Sequence, residues 1–186
     1  MSDQSTPIIL IGPMGSGKSI VGQHLAQRLS ALYTDTDALF VERHGVIGTY
    51  FTAHGEPAFR DAEQDIIAEV VDTTDLGVLS LGGGAVLRSA NREIIRGRGY
   101  VVFLDVSEEQ ALERLGDASA RPVLAGDPAR NWSRIRTARL DLFQATAHDV
   151  IDTTGLDVDD VATKIIDGHQ QFLSRNATTT MTEPTT

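Results

Sequence analysis

Short apolar runs alternate along this chain with longer segments of helical periodicity. Ile8–Ile11, Val78–Leu81 and Val101–Leu104 are the clearest runs, with Leu32–Thr34 and Val150–Ile151 weaker. Short, aliphatic and unalternating, they predict strands buried on both faces. Val21, Leu25 and Leu29 form an apolar stripe after the first run, and Phe59, Ile66, Ile67, Val70 and Val71 form another within residues 56–72; both stripes predict helices. Ser107, with Gln110 three residues on, is a capping-box signal for a helix over 107–115, and residues 158–173 read as the last helix. Strands alternating with helices predict an α/β fold, a parallel sheet covered on both faces. We expect one domain over residues 7–173, between a flexible N-terminus at 1–6 and a disordered, threonine-rich tail at 174–186.

Ligands of such sheets sit at the carboxyl ends of the strands, so the loops after the strands are where chemistry is expected. After Ile8–Ile11 comes Gly12 to Ser19, GPMGSGKS, which fits G-x-x-x-x-G-K-[ST] at every fixed position. Glycines let backbone N–H groups turn inward around phosphate oxygens, and the next helix points its positive end at them. In such a loop Lys18 reaches the β- and γ-phosphates and Ser19 ligates Mg2+. The loop indicates a nucleotide without fixing its fate, since many enzyme classes share it.

The second run ends in Asp35 and Asp37. On a strand these point the same way, one carboxylate towards hydrated Mg2+ and the other towards a substrate hydroxyl; an acidic turn accounts for them equally. Arg60 lies near the start of its helix, where the dipole disfavours a cation. An anionic ligand explains it, as does an i,i+3 ion pair with Glu63, and both can hold together. Ser80-Leu81 leads into Gly82, Gly83 and Gly84. Three glycines at a strand end fit a hinge, a turn or close approach of a ligand to the backbone. Arg121 and Pro122 open a segment, about residues 116–130, that reads as a mobile cationic lid leading into a helix with Arg130, Arg134, Arg136 and Arg139. Trp132 reads as lid packing, and the five histidines show no metal-ligand spacing.

Composition narrows the class. With 26 acidic against 16 basic residues, the formal charge is −10, which disfavours nucleic acid as a partner. Of the 16 bases only two are lysine, and one of those, Lys18, sits in the glycine-rich loop. There is no cysteine, so disulfides and thiolate metal sites are excluded. No leader-like or membrane-spanning segment is read, and a cytoplasmic enzyme is expected.

Together GPMGSGKS, DTD, GEPAFR, LSLGGGAV and RPVLAG resemble the shikimate kinase family, in order and with similar gaps, from about Pro7 to Phe172. The resemblance implies a three-layer P-loop fold, with a five-stranded parallel sheet of order 2-3-1-4-5 flanked by helices and a mobile lid. It implies transfer of a phosphoryl group from MgATP to the 3-hydroxyl of shikimate, in aromatic amino acid synthesis. Asp37 would bind the ring hydroxyls and be the candidate base, Arg60 and Arg139 would hold the carboxylate, and Gly82, Gly83 and Gly84 would approach the substrate. Gly15, Ser16, Gly17, Lys18, Ser19 and Ile20 would bind ATP, with Arg121 on its phosphates and Arg114 by the adenine. One Mg2+ would be held directly by Ser19 and through water by Asp35. The partners implied are ATP and shikimate, with no nucleic acid or membrane, on a monomer. Two departures stand out: the segment after Gly45 is about a residue shorter, and Asp141 replaces a usual proline. Competing readings are a gluconate-kinase-like enzyme on the same fold and a P-loop ATP-binding module that no longer catalyses.

Overall fold

The computed structural model describes residues 6–73, 75, 77–116, 124 and 126–180. Arg121 and most of the expected lid, residues 117–123 and 125, lie outside that set. Five strands, β1 (Ile8–Ile11), β2 (Tyr33–Asp35), β3 (Val78–Ser80), β4 (Tyr100–Asp105) and β5 (Asp149–Asp152), form one sheet. Its order is β2-β3-β1-β4-β5, every pair parallel. Seven helices connect and cover it: α1 (Lys18–Leu29), α2 (Thr36–His44), α3 (Ile47–Val71), α4 (Ser89–Arg98), α5 (Glu108–Leu115), α6 (Pro128–Thr146) and α7 (Val158–Thr180).

The strand alternation divides the core into two layers. Ile9, Ile11, Leu79, Val101 and Phe103 pack with Phe59, Ile66, Ile67, Ile95 and Phe143 from α3, α4 and α6. Ile8, Leu10, Val78, Tyr100, Val102 and Leu104 pack with Val21 and Leu25 of α1 and Val161, Ala162 and Ile165 of α7. Leu29, counted in the apolar stripe of α1, is instead 39% exposed at the last turn.

The elements also differ from the sequence-based expectation in their bounds and caps. The helix expected over 56–72 begins at Ile47 and bends at Gly55, whose φ of 81° breaks the helical backbone; Pro57 then sits in the first turn beyond the bend. The segment after Gly45 is thus helical, and its Tyr50 packs edge-on against Phe40 of α2 at 5.1 Å. Helix α7 continues to Thr180, so residues 174–180 are helical rather than part of a loose tail. Helices α2 and α4 fall where no periodic segment or cap is expected, and each buries one large apolar residue, Phe40 and Ile95. In the capping box, Ser107 Oγ accepts from Gln110 N at 3.3 Å, but the Gln110 side chain turns to Arg114 and Gly155 N instead.

Asp141 lies within α6, which runs from Pro128 to Thr146. A proline there would remove a helical N–H and clash with the preceding turn, so Asp141 keeps this helix regular. Among the described residues, no helix is long and apolar enough to cross a membrane.

Ile165 is fully buried between α7 and the sheet. Ile165→Ala is expected to cost about 2–5 kcal/mol. For a domain of this size that lowers Tm by roughly 5–15 °C. Calorimetry checks this, and a Tm within about 2 °C of the parent would show that α7 is not part of the cooperative core.

Candidate active site

Strands β1 and β3 deliver two glycine-rich loops to the same edge of the sheet. In the first, Gly12, Gly15 and Gly17 have φ of 149°, 79° and 92°, which side chains rarely adopt. Two of them are also sterically closed. A Cβ on Gly12 would overlap the Leu104 carbonyl of β4, and one on Gly15 would lie 2.7 Å from the Ala111 carbonyl of α5. The loop is therefore set into the ends of its neighbours. Ser16 is fully buried, and its Oγ has no partner among the described residues. An orphaned hydroxyl in a ring of backbone N–H groups suits an anionic ligand.

Lys18 opens α1 and folds back over this loop. Its Nζ donates to Gly12 O at 2.9 Å and to Pro13 O at 2.8 Å. Burial pushes its pKa down to about 8, against the pull of the Asp37 and Asp35 carboxylates. Ser19 Oγ donates to Asp35 Oδ2 at 2.9 Å, and Tyr33 Oη donates to the same oxygen at 3.0 Å.

Asp35 and Asp37 do not share a strand face, as strand alternation would require. Asp35 ends β2 and caps α2, its Oδ1 accepting from Asp37 N at 3.0 Å and Ala38 N at 3.3 Å. That cap turns the chain into a helix at once, leaving Asp37 in its first turn. Asp37 is half-buried, and desolvation raises its pKa, helped by Asp35 and opposed by Lys18 and Arg60.

On the second loop, none of Gly82, Gly83 and Gly84 has a positive φ, so backbone conformation does not demand them. Space does at two of them. A Cβ on Gly82 would lie 2.5 Å from Asp37 Oδ1, and one on Gly84 would overlap the Arg60 guanidinium. A Cβ on Gly83 would face the phosphate loop at ordinary contact distance, 3.4 Å from Gly12 O and 3.8 Å from Met14 N. Gly82 and Gly84 thus keep clearance for different side chains, while nothing in the protein itself excludes a methyl group at Gly83.

Arg60 is gripped by Glu63 at 2.7 Å, the i,i+3 pair expected, and approached by Glu56 at 3.5 Å. Glu63 is 3% exposed. Burial raises its carboxyl pKa, and Arg60 opposes the rise. Arg139, from α6, donates from Nη1 to Gly83 O at 3.1 Å. Burial and the neighbouring Arg60 charge lower its pKa. Two guanidinium groups thus converge on the glycine loop from separate helices.

On the other side of the phosphate loop is a cleft of about 660 Å3, lined by Gly15 to Val21, Arg114, Thr153, Leu156, Asp157, Val158 and Val161. Arg114 bonds Gly15 O, Thr153 Oγ1, Thr153 O and Gln110 Oε1. Thr153 and the stretch after it escaped the sequence reading, since no motif marks the turn after β5. Trp132, expected as lid packing, is buried and donates from Nε1 to Met14 O at 2.9 Å.

A glycine loop and lysine at the end of β1, in a parallel sheet of order 2-3-1-4-5, define a P-loop nucleotide-binding protein. Residues 14–170 match the family model described as shikimate kinase. The chain is 39% identical over 161 residues to a shikimate kinase of Streptomyces avermitilis, covering 86% of this chain and 93% of that one. It is 42% identical over 159 residues to that of Geobacter metallireducens, covering 85% and 88%. Its fold is similar to the solved structure of an Acinetobacter baumannii shikimate kinase in complex with shikimate, with a TM-score of 0.84 and 35% identity over 91% of this chain and 94% of that one. The chain belongs to the shikimate kinase family, and it is an ATP-dependent kinase.

Gly84→Ala is expected to displace the Arg60 guanidinium and raise KM for the phosphoryl acceptor by roughly tenfold, with KM for ATP within about twofold of the parent. Steady-state kinetics checks this; an unchanged acceptor KM would show that the Arg60 position is immaterial.

Proposed function

We propose that the chain transfers the γ-phosphoryl group of ATP to the 3-hydroxyl of shikimate, giving ADP and shikimate 3-phosphate, in the cytoplasmic route to aromatic amino acids. The observation that supports this most is the place of Asp37, a half-buried carboxylate within electrostatic reach of Lys18 on the donor side and Arg60 on the acceptor side. A hydroxyl bonded to Asp37 would stand between the two loops.

In this reading Gly15, Ser16, Gly17, Lys18, Ser19 and Ile20 bind the nucleotide. Backbone N–H groups hold the phosphates, and Lys18 moves its ammonium from the loop carbonyls to the β- and γ-oxygens. Arg114 has donors committed to the protein and offers the adenine its flat cationic face. Arg60 and Arg139 take the substrate carboxylate, a planar acceptor suited to paired guanidinium donors. Asp37 accepts the 3-hydroxyl hydrogen bond and takes its proton as the oxygen bonds to the γ-phosphorus and the bond to the ADP oxygen breaks. Burial raises its pKa above the ordinary carboxylate value, which makes it the stronger base for that proton. Arg121 is assigned to the ATP phosphates by its position in the sequence alone.

The residues at the P-loop fit Mg2+. Among the described residues, no group of three or more His, Cys, Asp or Glu could cage a metal. Ser19 Oγ and Asp35 Oδ2, 2.9 Å apart, are hard oxygen donors beside the phosphate cradle. Mg2+ takes few protein ligands and keeps waters and phosphate oxygens, so Ser19 would bind it directly and Asp35 through water. When bound, it supplies charge neutralisation on the phosphates.

A coupled ADP-release assay with shikimate, gluconate and nucleosides as acceptors tests the assignment. Turnover on shikimate is expected; turnover on gluconate alone, or none, would overturn it. Asp37→Asn should lower kcat by about 10²- to 10⁴-fold. ATP affinity by calorimetry should stay within about twofold; equal losses in both would remove Asp37 from the acceptor side. Lys18 is cationic below its folded pKa of about 8 and loses that charge above it. Because kcat/KM reports the free enzyme, kcat/KM for ATP should fall on the basic side with an apparent pKa near 8. A profile flat well above pH 9 would contradict the need for a charged Lys18.

A further inference from the structure

One face of α6 reads Trp132, Arg136, Arg139, Phe143, at spacings of four, three and four residues, the helical repeat. The two ends are apolar anchors. Trp132 is buried against the phosphate loop and bonds Met14 O. Phe143 is fully buried and stacks on Phe103 of β4, ring centroids 4.9 Å apart. Burial holds the helix on the sheet without direction, so the register of this face rests on its directional contacts, the Trp132 bond at the start of the helix and the pair nearer Arg139.

Between the anchors, Arg136 makes a two-pronged pair with Asp105, the last residue of β4. Nε meets Oδ1 at 2.9 Å, and Nη2 meets Oδ2. The side chains are 27% and 19% exposed, so the pair is half-buried and shielded from much of the screening that weakens surface pairs. Asp105 is itself fixed: its carbonyl accepts from Thr153 N at 2.9 Å and Thr153 Oγ1 at 3.0 Å. A forked guanidinium–carboxylate pair is directional and sets register. Three residues on, Arg139 lies beside the like charge of Arg60, which favours its retreat.

We propose that Arg136 is a positioning residue for the phosphoryl acceptor: its forked pair with Asp105 fixes the register of α6 and so holds Arg139 at the glycine loop beside Arg60. The inference rests on the reading that Arg139 meets the carboxylate of shikimate.

The test is steady-state kinetics of the full chain with shikimate and ATP varied separately, alongside Tm. Arg136→Met should raise KM for shikimate by roughly tenfold, with kcat and KM for ATP within about twofold. Asp105→Asn should show the same split, and the double variant should add little to either single change, as expected of partners in one interaction. Arg136→Lys keeps the charge without the fork and should stay impaired. A shikimate KM within about twofold of the parent in Arg136→Met would overturn the proposal. So would all parameters moving together with Tm, or full recovery in Arg136→Lys. If Arg136→Met does not fold, Asp105→Asn decides alone. Arg139→Met is the control. If it leaves the shikimate KM unchanged, the carboxylate assignment itself fails. If Arg139→Met raises that KM and Arg136→Met does not, only the positioning role fails.

Discussion

An ammonium group taken out of water must be given acceptors and counter-charge, or it costs several kcal/mol. Lys18 is that group here, and the edge of the sheet is arranged around it. Two backbone carbonyls of its own loop accept its protons, and the loop reaches those positions only through glycines at positive φ. Two carboxylates face it, one from the cap of α2 and one from its first turn. This half-buried cation therefore accounts for the shape of the phosphate loop and for the acidity of the turn from β2 into α2. It also explains how a half-buried carboxylate at Asp37 is tolerated so close to Asp35.

The two halves of the site are built from different material. The donor half is mostly backbone, pressed against the ends of β4 and α5 so closely that Gly12 and Gly15 admit no side chain. The half proposed to take the acceptor is made of side chains from α2, α3 and α6, Asp37, Arg60 and Arg139, gathered at the glycine triplet. Backbone geometry is common to any nucleotide, whereas side chains on separate helices can be exchanged one at a time. A shared fold serving different acceptors follows from that division.

Legibility in the sequence divides along the same line. The phosphate loop could be read residue by residue, because its chemistry tolerates few substitutions at fixed spacing. All five strands are visible as apolar runs, and α1, α3, α5, α6 and α7 as periodic segments, caps or the helix after the lid, although α3 begins well before residue 56 and α7 runs well past residue 173. Asp35 and Asp37 stand out in the sequence, but strand alternation does not describe their geometry; an Asp just before a helix is a cap signal. Helices α2 and α4 are short and bury one large apolar residue each, Phe40 and Ile95, too few to stand out among polar neighbours. The Arg60–Glu63 pair is legible from i,i+3 spacing. The bonds of Thr153, Trp132 and Arg136 are not, because these join residues 31 to 137 positions apart and depend on topology alone.

The glycine triplet has a consequence for how this chain can change. Its outer members face different neighbours, the Asp37 carboxylate and the Arg60 guanidinium, while the middle one has ordinary room on its protein side. In evolutionary terms these are two separate constraints with a sterically permissive codon between them. A second-site change that makes room at one outer position does nothing for the other. The outer pair can therefore be relaxed only by two unrelated compensations, which makes it harder to escape than a turn whose glycines answer to a single backbone conformation.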